Sequence, residues 1–223
     1  MIMNKQFYKF TCLPILMFIV LLYVTPMLTN VFHASISTYL VVYMLMQVLL
    51  LAVGPMCLYK NEYLDSLKLF KKHIFKYVML AIILWIIIAV AQVIAAKMTG
   101  VSASNQTFIN SVTDKGTLLS FALSIVLTFV APINEEMIFR RILIGNFKNH
   151  IPVWSLVIIS SILFGLIHMH TVQDLQVIFP YIIIGFLFAG AYIKNQYNIV
   201  VSTFCHIFLN LVVAVIGLIA ASR

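Results

Sequence analysis

Residues 118–147 read LLSFALSIVLTFVAPINEEMIFRRILIGNF. The run is mostly apolar and long enough to cross a hydrocarbon core of about 30 Å at 1.5 Å per helical residue. Its second half nevertheless carries Glu135, Glu136, Arg140 and Arg141. An ionisable group deep in a membrane helix costs roughly 2.5–3.5 kcal/mol on insertion scales, so such groups are functional by default. Glu136 and Arg140 stand at i and i+4 with the acid on the N-terminal side, the favourable order for a helical ion pair. Glu135 projects about 100° round the helix and falls outside that pair. One carboxylate is thus expected to support the structure and the other to be available for chemistry. Pro132, just upstream, removes a backbone donor and is expected to kink the helix. The bland reading is that both carboxylates only tie helices together.

The rest of the chain sets this stretch in a membrane. Of 223 residues, 63% are hydrophobic and 9% charged, with a mean hydropathy of +1.09. A soluble domain runs near 45–50% apolar and about 25% charged. The fold class is therefore all-α, a polytopic helix bundle. Seven spans can be drawn, at 10–28, 36–58, 77–96, 118–147, 153–168, 175–193 and 199–220. The net charge of +8 does not imply nucleic acid, because the basic residues mark membrane flanks rather than a soluble basic face. Eleven Lys and Arg fall on one side of the predicted bundle, and only Lys97, Lys115 and Arg223 on the other. The positive-inside rule then puts the N-terminus in the cytoplasm and the C-terminus outside a multi-pass cell-membrane protein. Lys5 and Lys9 precede an apolar run that continues to Leu28 with no small-residue cleavage pattern, read as a retained first span. Cys12, Cys57 and Cys205 show no framework spacing.

Tyr63, Leu67, Phe70 and Ile74 recur at helical spacing among Lys68, Lys71 and Lys72, which predicts an amphipathic helix at the interface. Residues 97–117 are rich in Ser, Thr, Asn and Gly, an expected external loop. They divide the chain into an N-terminal part, 1–117, with three spans, and a C-terminal part, 118–223, with four.

Two later spans carry their own misplaced polar groups. Phe164 and His168 are one turn apart on one face, as are His206 and Asn210. Glu135 should lie about 22 Å from residue 150, His168 about 25 Å from residue 151, and His206 about 15 Å from the turn at 194–198. All three then fall within the hydrocarbon core. A carboxylate, two imidazoles and an amide in a low-dielectric cavity suit the activation of water against a carbonyl. Glu135, His168 and His206 would also make a three-ligand zinc site with an open position. H-E-x-x-H is absent, and the spacing leaves both chemistries open.

In order along hydrophobic helices, Glu135-Glu136-x-x-x-Arg140, Phe164-x-x-x-His168 and His206-x-x-x-Asn210 resemble the three motifs of the CPBP family, the CAAX protease and bacteriocin-processing (Abi) intramembrane endopeptidases. The resemblance covers roughly residues 118–216. It implies hydrolysis of a peptide bond in a membrane-associated peptide or protein, such as a leader peptide, signalling peptide or bacteriocin. It further implies that Glu135 and His168 activate water, that His206 and Asn210 stabilise the oxyanion, and that Glu136, Arg140 and Phe164 support the site. The family has been described both as zinc-dependent and as metal-independent. The second is favoured here, without a cofactor, because the residues named suffice for a general base.

His33, His73, His150 and His170 sit in predicted loops or at span ends and are assigned no chemistry. A non-enzymatic scaffold or bacteriocin-immunity factor is one alternative, which an activity lost in Glu135→Ala would exclude. A proton-coupled transporter is another. It would need a polar path through the first three spans, where only Gln47 and Gln92 stand out.

Overall fold

Where no water competes for backbone N–H and C=O groups, an apolar segment must satisfy them within itself, and a helix does so. The computed structural model describes residues 8–99, 117–169, 174–175 and 178–221, and among these no strand occurs. Helices α1 (Lys9–Val31), α2 (Ile36–Leu58), α4 (Ile74–Thr99) and α5 (Leu118–Asn146) are long and apolar enough to cross a membrane. So is α8 (Ile199–Ala221). Between α2 and α4 lies the short α3 (Lys60–Lys72). Helices α6 (Val153–Leu166) and α7 (Ile178–Lys194) are apolar but shorter. The chain is a multi-pass membrane protein, with five full-length crossing helices among the described residues.

Span α6 differs from its expected extent. It ends at Leu166, and His168 lies beyond it in a turn whose N–H bonds the Gly165 carbonyl. His170 lies outside the described residues. Oxygen caps mark two helix starts. Ser35 accepts from the Thr38 N–H and Thr117 from the Ser120 N–H, each at 3.1 Å, meeting donors that the first turn leaves unpaired.

Prolines widen the long helices. In α1 and α5, π-type turns at Tyr8–Cys12, Val20–Val24 and Val126–Val130 precede Pro14, Pro26 and Pro132. Each contains the residue four positions before its proline, whose carbonyl the ring would otherwise strike. A further wide-turned stretch, Met137–Asn146, follows the glutamates.

Helix α5 forms the centre of the bundle. Met137, Arg140, Ile142 and Ile144 are wholly buried. By contrast α4 exposes Ile83, Ile86, Val90, Val93 and Ile94, a face for lipid. Helices α6 and α7 approach closely because Gly185 has no Cβ; one placed there would stand 2.8 Å from Ser161 Cα. Helix α3 turns part of its apolar stripe inward. Phe70 is buried, with ring centroids 5.1 Å from both Tyr77 and Phe204. Asn198 Nδ2 donates to the Ser66 carbonyl at 3.0 Å, and Arg141 pairs with Glu62. The face read from the sequence as interfacial is thus shared between the bundle and its surroundings.

Candidate active site

The polar residues of α5, α6 and α8 meet around one buried cation. Glu136 and Arg140 have no exposed side-chain surface, and Glu136 Oε2 lies 3.2 Å from Arg140 Nε. The contact is at ion-pair distance, but the N–H is not aligned as a hydrogen bond, so charge rather than directionality holds the pair. Three phenyl rings complete the surroundings of the guanidinium. Its carbon lies 4.9 Å from the Phe164 ring centre, 5.8 Å from Phe139 and 5.9 Å from Phe188. At such distances the π faces attract a desolvated cation. Ser160 adds a polar contact, with Arg140 Nη1 donating to its Oγ at 3.4 Å. Phe164 is thereby a wall of the arginine cage as well as a neighbour of His168.

His206 comes from α8 to the other carboxylate oxygen. Its Nδ1 lies 3.1 Å from Glu136 Oε1. An ion-paired carboxylate only accepts, so Nδ1 carries the hydrogen and Nε2 is turned the other way. That second nitrogen is 3.9 Å from Glu135 Oε2. The Glu135 oxygen is buried and has no hydrogen-bond partner, although 14% of the side chain is exposed. A buried carboxylate oxygen with no donor is costly.

His168 is reached through rings rather than ions. Its ring centre lies 4.7 Å from Phe164, and Phe164 lies 5.7 Å from His206. Tyr181 stacks on it at 4.6 Å. Nδ1 is 2.7 Å from the Phe164 carbonyl. A carbonyl only accepts, so the hydrogen sits on Nδ1 and Nε2 is the acceptor nitrogen.

Asn210 has a structural tie that its spacing from His206 does not disclose. Its Nδ2 donates to the Leu127 carbonyl at 3.0 Å. That carbonyl lies in the widened turn before Pro132, where the Ala131 N–H bonds Val126 instead. The next donor along, residue 132, is a proline with no N–H. The amide of Asn210 therefore meets an acceptor that α5 itself cannot satisfy, and its second N–H is a further donor.

Residues outside the three motifs also build the site. Asn134 is wholly buried and donates through Nδ2 to Gln47 Oε1 at 2.7 Å and to the Gln47 carbonyl at 2.9 Å. Gln47 in turn donates to the Tyr43 hydroxyl at 2.9 Å. This chain of amides fixes the residue immediately before the glutamates to α2. The sequence offered one signal for it, an isolated glutamine inside an apolar span. Tyr63 of α3 points its hydroxyl at the Ile133 carbonyl, 3.4 Å away. Burial above all, with the Glu136 charge adding, pushes that phenol above its ordinary pKa and keeps it a donor. His33 and His150 are exposed in turns.

Among the described residues no three His, Cys, Asp or Glu side chains are grouped as metal ligands.

Comparison with known proteins bears on the same segment. The family profile described as Rce1-like, type II CAAX prenyl endopeptidase, matches residues 117–212. A Bacillus subtilis (strain 168) protein named "Putative membrane peptidase YdiL" is 35% identical over 94 residues, 42% of this chain and 36% of that protein. An uncharacterized protein of Mycoplasma capricolum subsp. capricolum is 36% identical over 95 residues, 42% of this chain and 27% of that protein. The alignments thus span about a third of the curated relatives' length. No solved structure matches. The matched segment contains all three polar motifs, and over residues 117–212 the chain is similar to the Rce1-like, type II CAAX prenyl endopeptidase family.

Proposed function

We propose that the chain is an intramembrane endopeptidase in which Glu135 is the general base. The observation that carries this reading is the Glu135 Oε2 atom, buried without a hydrogen-bond donor and 3.9 Å from His206 Nε2. A water there would supply the missing donor. Its proton passes to Glu135 as its oxygen bonds the carbonyl carbon of the substrate, and His168 Nε2 accepts from the same water to orient it. The developing oxyanion accepts from the second N–H of Asn210, with His206 as its second stabilising group. Glu135 then returns its proton to the amide nitrogen as the C–N bond breaks, giving one carboxylic acid and one amine. Glu136 and Arg140 hold His206 in place and take no part in proton transfer.

The substrate is a peptide or protein that reaches the site from within the bilayer. Leader peptides, signalling peptides and bacteriocins are the classes proposed, and no metal is required by the steps above. The test is incubation of purified, reconstituted protein with a library of membrane-associated peptides. Wild type should cleave, and Glu135→Gln should lose about 10²–10⁴ in rate, the usual contribution of a positioned base. Cleavage undiminished in that variant would remove Glu135 from the role. No cleavage by either protein, with both folded, would favour the scaffold or immunity reading.

A further inference from the structure

One end of the bundle holds a cavity that the proposed chemistry does not use. It has a volume of about 240 Å³ and lies where the start of α4 meets the α7–α8 turn. His73, Lys76, Tyr77, Lys194, Asn195 and Gln196 form its walls, and none of its lining residues is acidic. Lys76 Nζ donates to Asn195 Oδ1 at 3.0 Å, and Asn195 is anchored through Nδ2 to the Ala191 carbonyl at 2.8 Å. The lysine is therefore held by a neutral amide, with its full charge uncompensated by that partner.

Two further features set this cavity apart. His73 and Lys76 stand at the N-terminal end of α4, a helix running from Ile74 to Thr99. Helix N-termini carry a partial positive charge and favour anions, and the basic side chains clustered there add to that field. The cavity wall also includes Gln196, which with its neighbour Tyr197 has an uncommon backbone conformation. Gln196 and Tyr197 have φ of 60° and 57°, the left-handed region that non-glycine residues occupy at a cost and that gathers at ligand clamps.

We propose that this cavity binds the phosphate group of an anionic membrane phospholipid. The location favours a lipid over a soluble phosphate. Beside the cavity, α4 exposes Ile74, Phe75 and Met79, with Phe75 84% exposed, an apolar track along which acyl chains can lie. Lys68, Lys71 and Lys72 of the adjoining α3 lie at the same end outside the cavity, with Lys68 paired to Asp65. Asn195 and Gln196 supply donors to the phosphate oxygens, while Lys76 and Lys194 neutralise the charge. The occupied site would clamp α4 to the α7–α8 turn. This proposal does not depend on the peptidase reading.

The test is native mass spectrometry of the full chain in neutral detergent, titrated with phosphatidylglycerol or phosphatidylcholine of the same acyl chains. Phosphatidylglycerol should bind at least about tenfold more tightly, in keeping with two lysine contacts. Lys76→Gln/Lys194→Gln should abolish that preference, whereas Lys68→Gln/Lys71→Gln, with equal charge removed outside the cavity, should keep it. Lys76→Arg/Lys194→Arg should also keep it, which covers the case in which the glutamine variant does not fold. Equal binding of the two lipids by wild type would overturn the proposal. So would loss of the preference in the Arg variant, or equal loss in the control pair. Complete displacement of the lipid by millimolar inorganic phosphate would make the site one for a soluble phosphate and overturn the lipid assignment.

Discussion

Glu136 Oε1 and His206 Nδ1 lie 3.1 Å apart although 70 residues separate them in the chain. One carboxylate thereby bridges a guanidinium on its own helix and an imidazole on another.

The two neighbouring glutamates should consequently fail in different ways. Glu136→Gln strands Arg140 as an unpaired buried charge, a loss of about 3–5 kcal/mol. A thermal melt in detergent should show it directly. Glu135→Gln removes a charge from an atom without a hydrogen-bond donor, so the melt should be unchanged or higher while cleavage is lost. Equal destabilisation by both would contradict the division of labour.

Asn210 holds the Leu127 carbonyl, and a second substitution can separate that tie from its proposed oxyanion role. Asn210→Ala should cost about 10²–10³ in rate, the usual loss for one oxyanion donor. It should also cost about 1–3 kcal/mol of stability, because the Leu127 carbonyl loses its partner. In a Pro132→Ala background residue 132 regains an N–H for that carbonyl. The stability penalty of Asn210→Ala should then shrink by more than half, and the rate penalty should persist. A double-mutant cycle read by thermal melts and by turnover measures both.

Gln47 is remote from the three motifs but holds Asn134 through two bonds. Gln47→Leu keeps the backbone acceptor and removes the side-chain one, leaving a buried amide partly unsatisfied. Stability should fall by about 1–3 kcal/mol, and Gln47→Glu should recover part of it. No change in the melt would mean that the amide chain carries no energy.

Two glycines of α7 make a matched pair. Gly185→Ala drives a Cβ to 2.8 Å from Ser161 Cα, and backbone cannot yield cheaply. A loss of about 1–3 kcal/mol is expected, as for overpacked cores. Gly190→Ala meets nothing within 4 Å and should stabilise the helix by up to about 1 kcal/mol. Paired melts of the two variants check the α6–α7 approach.

Chelation tests the metal question independently. Prolonged dialysis against a strong chelator should leave turnover unchanged. Elemental analysis finding about one zinc per chain, the open three-ligand stoichiometry, would contradict the reading if His168→Ala and His206→Ala each lost both metal and activity.

Much of this was legible in the sequence, within clear physical limits. The four-residue step from Glu136 to Arg140 and from Phe164 to His168 describes one face of one helix, and both pairs meet in the structure. Spacing says nothing about how helices rotate against each other. Hence the bond from Asn134 to Gln47, across 87 residues, and that from Asn210 to Leu127, across 83, had no signature beyond the residues themselves. The end of α6 was also hidden, because Ile167 and His168 continue a periodic apolar run without a proline or a capping residue to stop it. Pro132 did announce a disturbance in α5. Which carbonyl it would orphan depended on the widened turn before it.

The brevity of α6 bears on the bilayer itself. Its 14 residues rise about 21 Å, against a hydrocarbon core of about 30 Å. A helix this short is met by local thinning of the bilayer, by snorkelling of flanking side chains or by oligomerisation, at a fraction of a kcal/mol per ångström of mismatch. His168 sits just past that helix end. The membrane would be thinnest, and water closest, on the side of the protein where the proposed hydrolysis needs it.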